Sequence, residues 1–179
     1  MKTYKKFVTE KKGDTVVFTF GRFNPPTVGH EKLITAVQSV ARTRGGDFFV
    51  YPSHSQDPKK NPLNQATKIK YMKKMFPKFK KNIIASSGKT ALNIAAELYK
   101  KKYTTLVMVV GSDRVDEFQR ILDKYNGQDL AHGFYDFDQI YVVSAGERDP
   151  DAEGVEGMSA SKMRAAAVAG DFKSFRMGT

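Results

Sequence analysis

Apolar and polar positions follow two different periods along this chain, and the two take turns. Short runs rich in β-branched and aromatic residues predict strands: Thr15 to Phe20 (TVVFTF), Asp47 to Tyr51 (DFFVY), Asn82 to Ala85 (NIIA), Thr104 to Val110 (TTLVMVV) and Gln139 to Val143 (QIYVV). Between them, Val28 to Ala41, Gln65 to Phe76, Thr90 to Lys101 and Val115 to Asp123 predict helices, the first placing Leu33, Ile34, Val37 and Val40 on one apolar face. Five strands separated by helices predict an α/β fold, a mainly parallel sheet with helices on both faces. In such a sheet the ligand site lies beyond the carboxyl ends of the strands, so functional residues are expected just after strands.

Composition narrows the picture. With 179 residues, 40% hydrophobic and 12% aromatic, the chain is long enough for one real core and short for two, so one domain over 1–179 with a core of about 14–168 is expected. The absence of cysteine removes disulfides, thiolate nucleophiles and Cys-based zinc sites. The N-terminus MKTYKKFVTEKKGD is charged throughout, and no segment approaches the roughly 20 apolar residues of a membrane span. A soluble protein of the cytoplasm, or of the host cytoplasm for a virus-encoded chain, is the expectation. The net charge of +11 favours phosphate-bearing partners. Its lysines come in short groups, read as a solvated surface; nucleic acid is a less favoured partner because no RNA-binding aromatic signature or Cys/His finger accompanies them.

Three segments fall on the expected strand-end rim. In FTFGRFNPPTVGHEKL, Gly21 follows a strand directly, and Pro25 and Pro26 stiffen the path towards a helix whose first N–H groups attract anions. His30 lies in that helix's first turn, as an anion contact or as a packing residue. In VVGSDRVDEF, Gly111 and Asp113 follow the strongest strand, and Asp113 suits a helix cap, a nucleotide contact or a metal ligand. In GVEGMSASKMRAAAVAGDF, Ser159, Ser161 and Arg164 open an alanine-rich helix, which makes a polyphosphate clamp or a Ser-capped surface helix. The stretch IIASSGKTAL is not read as a P-loop, because Ile83 stands where that loop needs glycine; Thr90 is read as an N-cap, with Lys89 near enough to touch an anion.

Taken together, GRFNPPTVGH resembles the first signature of the nucleotidylyltransferase superfamily, a glycine-aromatic-proline turn followed by [H/T]-x-G-H. MSASKMR resembles its second, I-S-S-T-x-x-R, departing from it by Met158, Ala160 and Ser161 and keeping hydroxyls at two of the three polar positions. The resemblance spans Val16 to Arg164 and implies a Rossmann-like, doubly wound fold, Mg²⁺, and transfer of a nucleotidyl group from an NTP to a phosphate-bearing small molecule with loss of pyrophosphate. It implies catalytic roles for His30, Thr27 and Arg164. Nucleotide binding is implied for Gly21, Arg22, Phe23, Asn24, Gly29, Gly111, Asp113, Ser159 and Ser161, with Asp113 as the metal contact. The stretch NPLNQATKIKYMKKMF resembles adenylyltransferases of the nicotinamide mononucleotide type, with Lys68 standing for an expected arginine and implied to bind the acceptor. EGMSASKMR is similar to the cytidylyltransferase pattern E-G-I-S-T-T. ATP is favoured over CTP. The same motifs are similar to small phage-encoded members. A non-catalytic nucleotide-binding module is the alternative of a different class, and self-association or membership of an assembly stays open.

Overall fold

The computed structural model describes residues 14–146 and 157–179. Four strands, β1 (Thr15–Gly21), β2 (Asp47–Pro52), β3 (Thr105–Val110) and β4 (Gln139–Ser144), form one sheet in the order β2-β1-β3-β4, every pair parallel. The central strands are near-continuous apolar runs because both faces are covered. Strand alternation divides them. Val17, Val107 and Val109 meet Val37 and Ala41 of α1 (His30–Arg44), while Val16, Phe18, Leu106 and Met108 face Ile94 and Leu98 of α3 (Ala91–Lys100) and Leu122 of α4 (Val115–Tyr125). Met72 of α2 (Gln65–Met75) packs with Ile34 and Val50 at the β2 edge. After β1 the chain moves to β2 on one side and returns to β3 on the other, so the crevice at the carboxyl end of β1 is a topological switch point.

The expected fifth strand, Asn82 to Ala85, is not a strand of the sheet. It makes a single bridge, Ile83 beside Val50, with Val50 N–H donating to Asn82 O at 2.8 Å and Ile84 N–H to Val50 O at 3.1 Å. Both ends of that ladder are closed off. The next donor along β2 would be Pro52, which has no N–H, and at the other end the Asn82 side chain takes the Phe48 carbonyl at 2.9 Å while its backbone N–H turns to Phe79 O. The sheet therefore has four strands rather than five.

The alanine-rich segment forms α5 (Ala160–Ala169), capped by Ser159, whose side chain accepts from Lys162 N–H at 3.2 Å. Gly170, at φ 70°, ends it in the left-handed conformation, and α6 (Phe172–Met177) follows. The α6 helix was not expected from the sequence. Its exit residue Gly178 carries a carbonyl that accepts from Val28 N–H at 3.0 Å, tying the chain's last turn to the start of α1. Among the described residues no helix is long and apolar enough to cross a membrane.

Candidate functional site

The turn after β1 places its side chains by unusual backbone geometry. Phe23 is buried although its φ is 45°, a region non-glycine residues seldom occupy, and its ring meets His30 edge-on with centroids 4.9 Å apart. A Cβ on Gly21 would stand 3.1 Å from that ring, so a side chain there would press on it. Asn24 is also buried, with Nδ2 donating to Leu63 O at 2.9 Å and Oδ1 accepting from Leu63 N–H at 3.0 Å. The expected nucleotide-binding side chain of Asn24 is thus spent on holding the loop between β2 and α2.

His30 is oriented by the residue three positions before it. Thr27 N–H donates to Nδ1 at 2.8 Å and the Thr27 hydroxyl lies 3.0 Å from the same nitrogen. A backbone N–H can only donate, so Nδ1 is an acceptor and the ring proton belongs on Nε2. Thr27, almost wholly buried, sets the tautomer. The expectation of free N–H groups at the start of α1 is corrected in part: Thr27 N–H is spent on His30 and Val28 N–H on Gly178. Gly29 is the N-cap residue of α1 at φ −61°, an ordinary helical value.

Arg164 of α5 reaches across to this turn. Its Nη1 donates to Asn24 O at 2.7 Å and its Nη2 to Ser161 Oγ at 3.1 Å. The two segments expected to bind phosphates are thereby joined around a cavity of about 200 Å³ lined by Arg22, Phe23, Asn24, His30, Ser159, Ala160, Ser161 and Arg164, together with Lys60 and Asn61. Lys60 and Asn61 were not singled out as site residues by the sequence reading. The signal available for them was the Asn-Pro loop after the second strand, placed on the same rim. The residues just before Gly157, part of the glycine-containing loop expected beside the second signature, lie outside the described residues.

Six expected residues do not line this cavity: Gly21, Thr27 and Gly29 belong to the turn and helix start beside it, while Gly111, Asp113 and Lys68 stand apart. Gly111 and Asp113 are exposed beyond β3. The capping alternative for Asp113 is not realised, since α4 begins with no side-chain cap hydrogen bond. A Cβ on Gly111 would lie 2.9 Å from Asp113 Oδ1, so glycine there leaves room for the carboxylate to fold back over the strand end. Lys68 is fully buried, its Nζ donating to Ser53 O at 2.5 Å, and burial lowers its ammonium to about 8. That placement corrects the expectation that Lys68 meets the acceptor directly. It supports the loop from behind.

Among the described residues no three of His, Asp or Glu converge, so there is no protein-built metal cage. The donor set leaves room only for the mode in which substrate phosphates supply most of a cation's ligands. The donors of Ser86, Ser87 and Gly88 are already taken up by a carboxylate, while Lys89 is exposed. Gly88 N–H donates to Ser86 Oγ and to Glu97 Oε1, both at 2.8 Å, and Ser86 and Ser87 donate to the same carboxylate, which fills the place a phosphate would take. Thr90 is the expected N-cap of α3, in a reciprocal box with Asn93.

No curated protein matches the chain. A solved structure described as a nicotinate-nucleotide adenylyltransferase from Vibrio parahaemolyticus is similar to it with a TM-score of 0.53 at 16% identity, over 90% of this chain and 91% of that one, a likeness of fold. Residues 18–166 match the family described as Cytidylyltransferase-like, a span that holds both signature segments and the whole cavity wall. The chain belongs to the cytidylyltransferase-like family, and with it to the nucleotidyltransferases.

Proposed function

We propose that this protein transfers an adenylyl group from ATP to a phosphate-bearing small molecule, with a nicotinamide mononucleotide-like acceptor favoured and pyrophosphate released. The observation that carries the reading is the convergence of His30, Ser161 and Arg164 on one polar cavity at the switch point of a parallel sheet. An acceptor phosphate oxygen attacks the α-phosphorus, the bond to the bridging oxygen of the β-phosphate breaks, and pyrophosphate carries off the electron pair. This displacement needs alignment and charge neutralisation rather than an enzyme nucleophile. His30 Nε2–H donates to the transferring phosphate, held in that tautomer by Thr27. Arg164 and the Ser159 and Ser161 hydroxyls hold the β- and γ-phosphates, and Arg22 adds charge from the turn. Gly111 and Asp113 take the nucleoside side. Mg²⁺ would enter on the triphosphate, with Asp113 as its protein contact, and would neutralise phosphate charge.

CTP in place of ATP is the nearest alternative, supported by the family's own description and by the EGMSASKMR pattern. The test is a pyrophosphate-release screen of ATP and CTP with Mg²⁺ against nicotinamide mononucleotide, nicotinate mononucleotide, phosphopantetheine, flavin mononucleotide and simple sugar or polyol phosphates. Release that depends on one nucleotide and one acceptor supports the reading and names the substrates. No release with any pair, alongside tight nucleotide binding, favours the non-catalytic module.

Nucleic-acid binding has one observation in its favour. Between Asp57 and Glu97 the chain has ten lysines and no acidic residue, so much of its positive charge is gathered on the loop, α2 and the turns after it. Polymer binding there would fall steeply with salt, whereas nucleotide binding in the cavity would depend on it far less.

A further inference from the structure

The loop between β2 and α2 is built around one carboxylate. Asp57 Oδ1 accepts from the N–H groups of Lys59 and Lys60 at 3.0 and 2.7 Å, its backbone pairs with Asn61 in both directions at 2.9 and 3.2 Å, and Oδ2 accepts from Asn61 Nδ2 at 2.5 Å. The Lys60 N–H and the Asn61 side chain hold the Asp57 carboxyl below its usual range, so it stays an acceptor. A carboxylate cannot donate, so the Asn61 amide nitrogen must face Asp57 and its oxygen must face away. Asn61 is 8% exposed and lines the cavity, yet its Oδ1 is buried with no hydrogen-bond partner. Such an atom costs stability unless a ligand or ordered water satisfies it.

The cationic and imidazole groups of the wall offer the opposite chemistry. Arg22, Lys60, Arg164 and the Nε2 of His30 are all donors, suited to phosphate oxygens. A fully ionised phosphate has no donor to offer Asn61 Oδ1. We propose that Asn61 reads a hydroxyl of the acceptor, which makes the acceptor a sugar or polyol phosphate whose hydroxyl donates to Oδ1 while the neighbouring Lys60 holds its phosphate. The side of the cavity assigns the hydroxyl to the acceptor rather than to the NTP. Asn61 follows β2, on the far side of β1 from β3, whose end carries Gly111 and Asp113. This assignment rests on the nucleotidyl-transfer reading.

The experiment compares ribose 5-phosphate with inorganic pyrophosphate, titrated by NMR into the wild type and Asn61→Leu. The expected result is a loss of about tenfold in ribose 5-phosphate affinity with pyrophosphate binding unchanged. Unchanged affinity for ribose 5-phosphate overturns the proposal, and so does an equal loss for both probes, which would make Asn61 a structural part of the loop. A second readout needs no variant. In ¹³C-labelled wild type, the Asn61 side-chain carbonyl signal should move with ribose 5-phosphate and stay fixed with sulfate, an anion that has no proton to donate; a signal that is indifferent to both, or that moves with both, overturns the proposal. Wild type that binds neither ribose 5-phosphate nor pyrophosphate removes the transfer reading and this assignment together. Pyrophosphate binding with no role for Asn61 removes only the latter.

Discussion

Arg164 Nη1 donates to the carbonyl oxygen of Asn24 at 2.7 Å, joining residues 140 positions apart in the chain. The contact places the guanidinium beside the Phe23–Asn24 turn, with its second nitrogen on Ser161. The planar fork can hold both partners at once, and a lysine ammonium cannot reproduce that geometry.

Arg164→Ala is therefore expected to weaken ATP and pyrophosphate binding by about tenfold or more while AMP binding changes little, because its proposed contacts lie beyond the α-phosphate. Arg164→Lys should recover less than half of the lost binding free energy. Calorimetric titration with the three ligands checks both. Equal losses for AMP and ATP would show that Arg164 only braces the turn.

His30→Ala should lower turnover by about a hundredfold or more with a much smaller change in nucleotide affinity, since a donor to the transferring phosphate acts mainly in the transition state. Thr27→Val keeps the backbone N–H bond to Nδ1 and removes only the hydroxyl, so it should cost far less. Steady-state kinetics with the acceptor found by the pyrophosphate screen decides. Full activity in His30→Ala would make the ring a structural residue, packed against Phe23 and bonded to Thr27.

Lys68 gives a prediction in pH. Burial holds its ammonium near 8 in the folded chain, against about 10.4 when unfolded, so across that window the unfolded state binds more protons and stability rises with pH. Below the folded value this contribution is flat and unfavourable. Lys68→Met removes the titration. In urea unfolding between about pH 7 and pH 9.5, wild type should gain stability relative to the variant. The tyrosines at 51, 103 and 135, whose hydroxyls burial raises above their ordinary range, affect both proteins alike and cancel in the difference. Parallel curves would mean that Lys68 stays charged and hydrated in the fold.

The same residue marks where sequence reading stops. Strand periods and helix faces are local, and they placed β1, α1, β3 and the opening of α5 correctly, along with the rim on which the two signature segments meet. Lys68 read as a substrate contact because its motif position is local too. Its burial against Ser53 depends on how α2 sits on the β2 edge, a tertiary fact. Asn82 to Ala85 has strand composition, but Pro52 on the neighbouring strand withholds the donor its ladder needs. Asn61 joined the site because Asn24, from a distant turn, clips the loop at Leu63. No local period carries that information.

Asp113 provides the last test. It is exposed after β3, and α4 starts without using its side chain as a cap, so Asp113→Asn should leave the melting temperature nearly unchanged. The substitution keeps shape and hydrogen-bonding reach while removing the charge. If the carboxylate meets Mg²⁺ carried on the triphosphate, the Mg²⁺ concentration needed for half-maximal turnover should rise several-fold and saturating metal should recover most of the rate. If Asp113 instead accepts from the nucleoside, asparagine can still accept through its oxygen, and the Mg²⁺ dependence should stay as it was while Asp113→Ala loses nucleotide affinity. Melting curves and Mg²⁺ titrations of turnover for the two variants separate these roles. An unaltered Asp113→Ala enzyme would remove Asp113 from the site, leaving Gly111 beside it as a turn residue only.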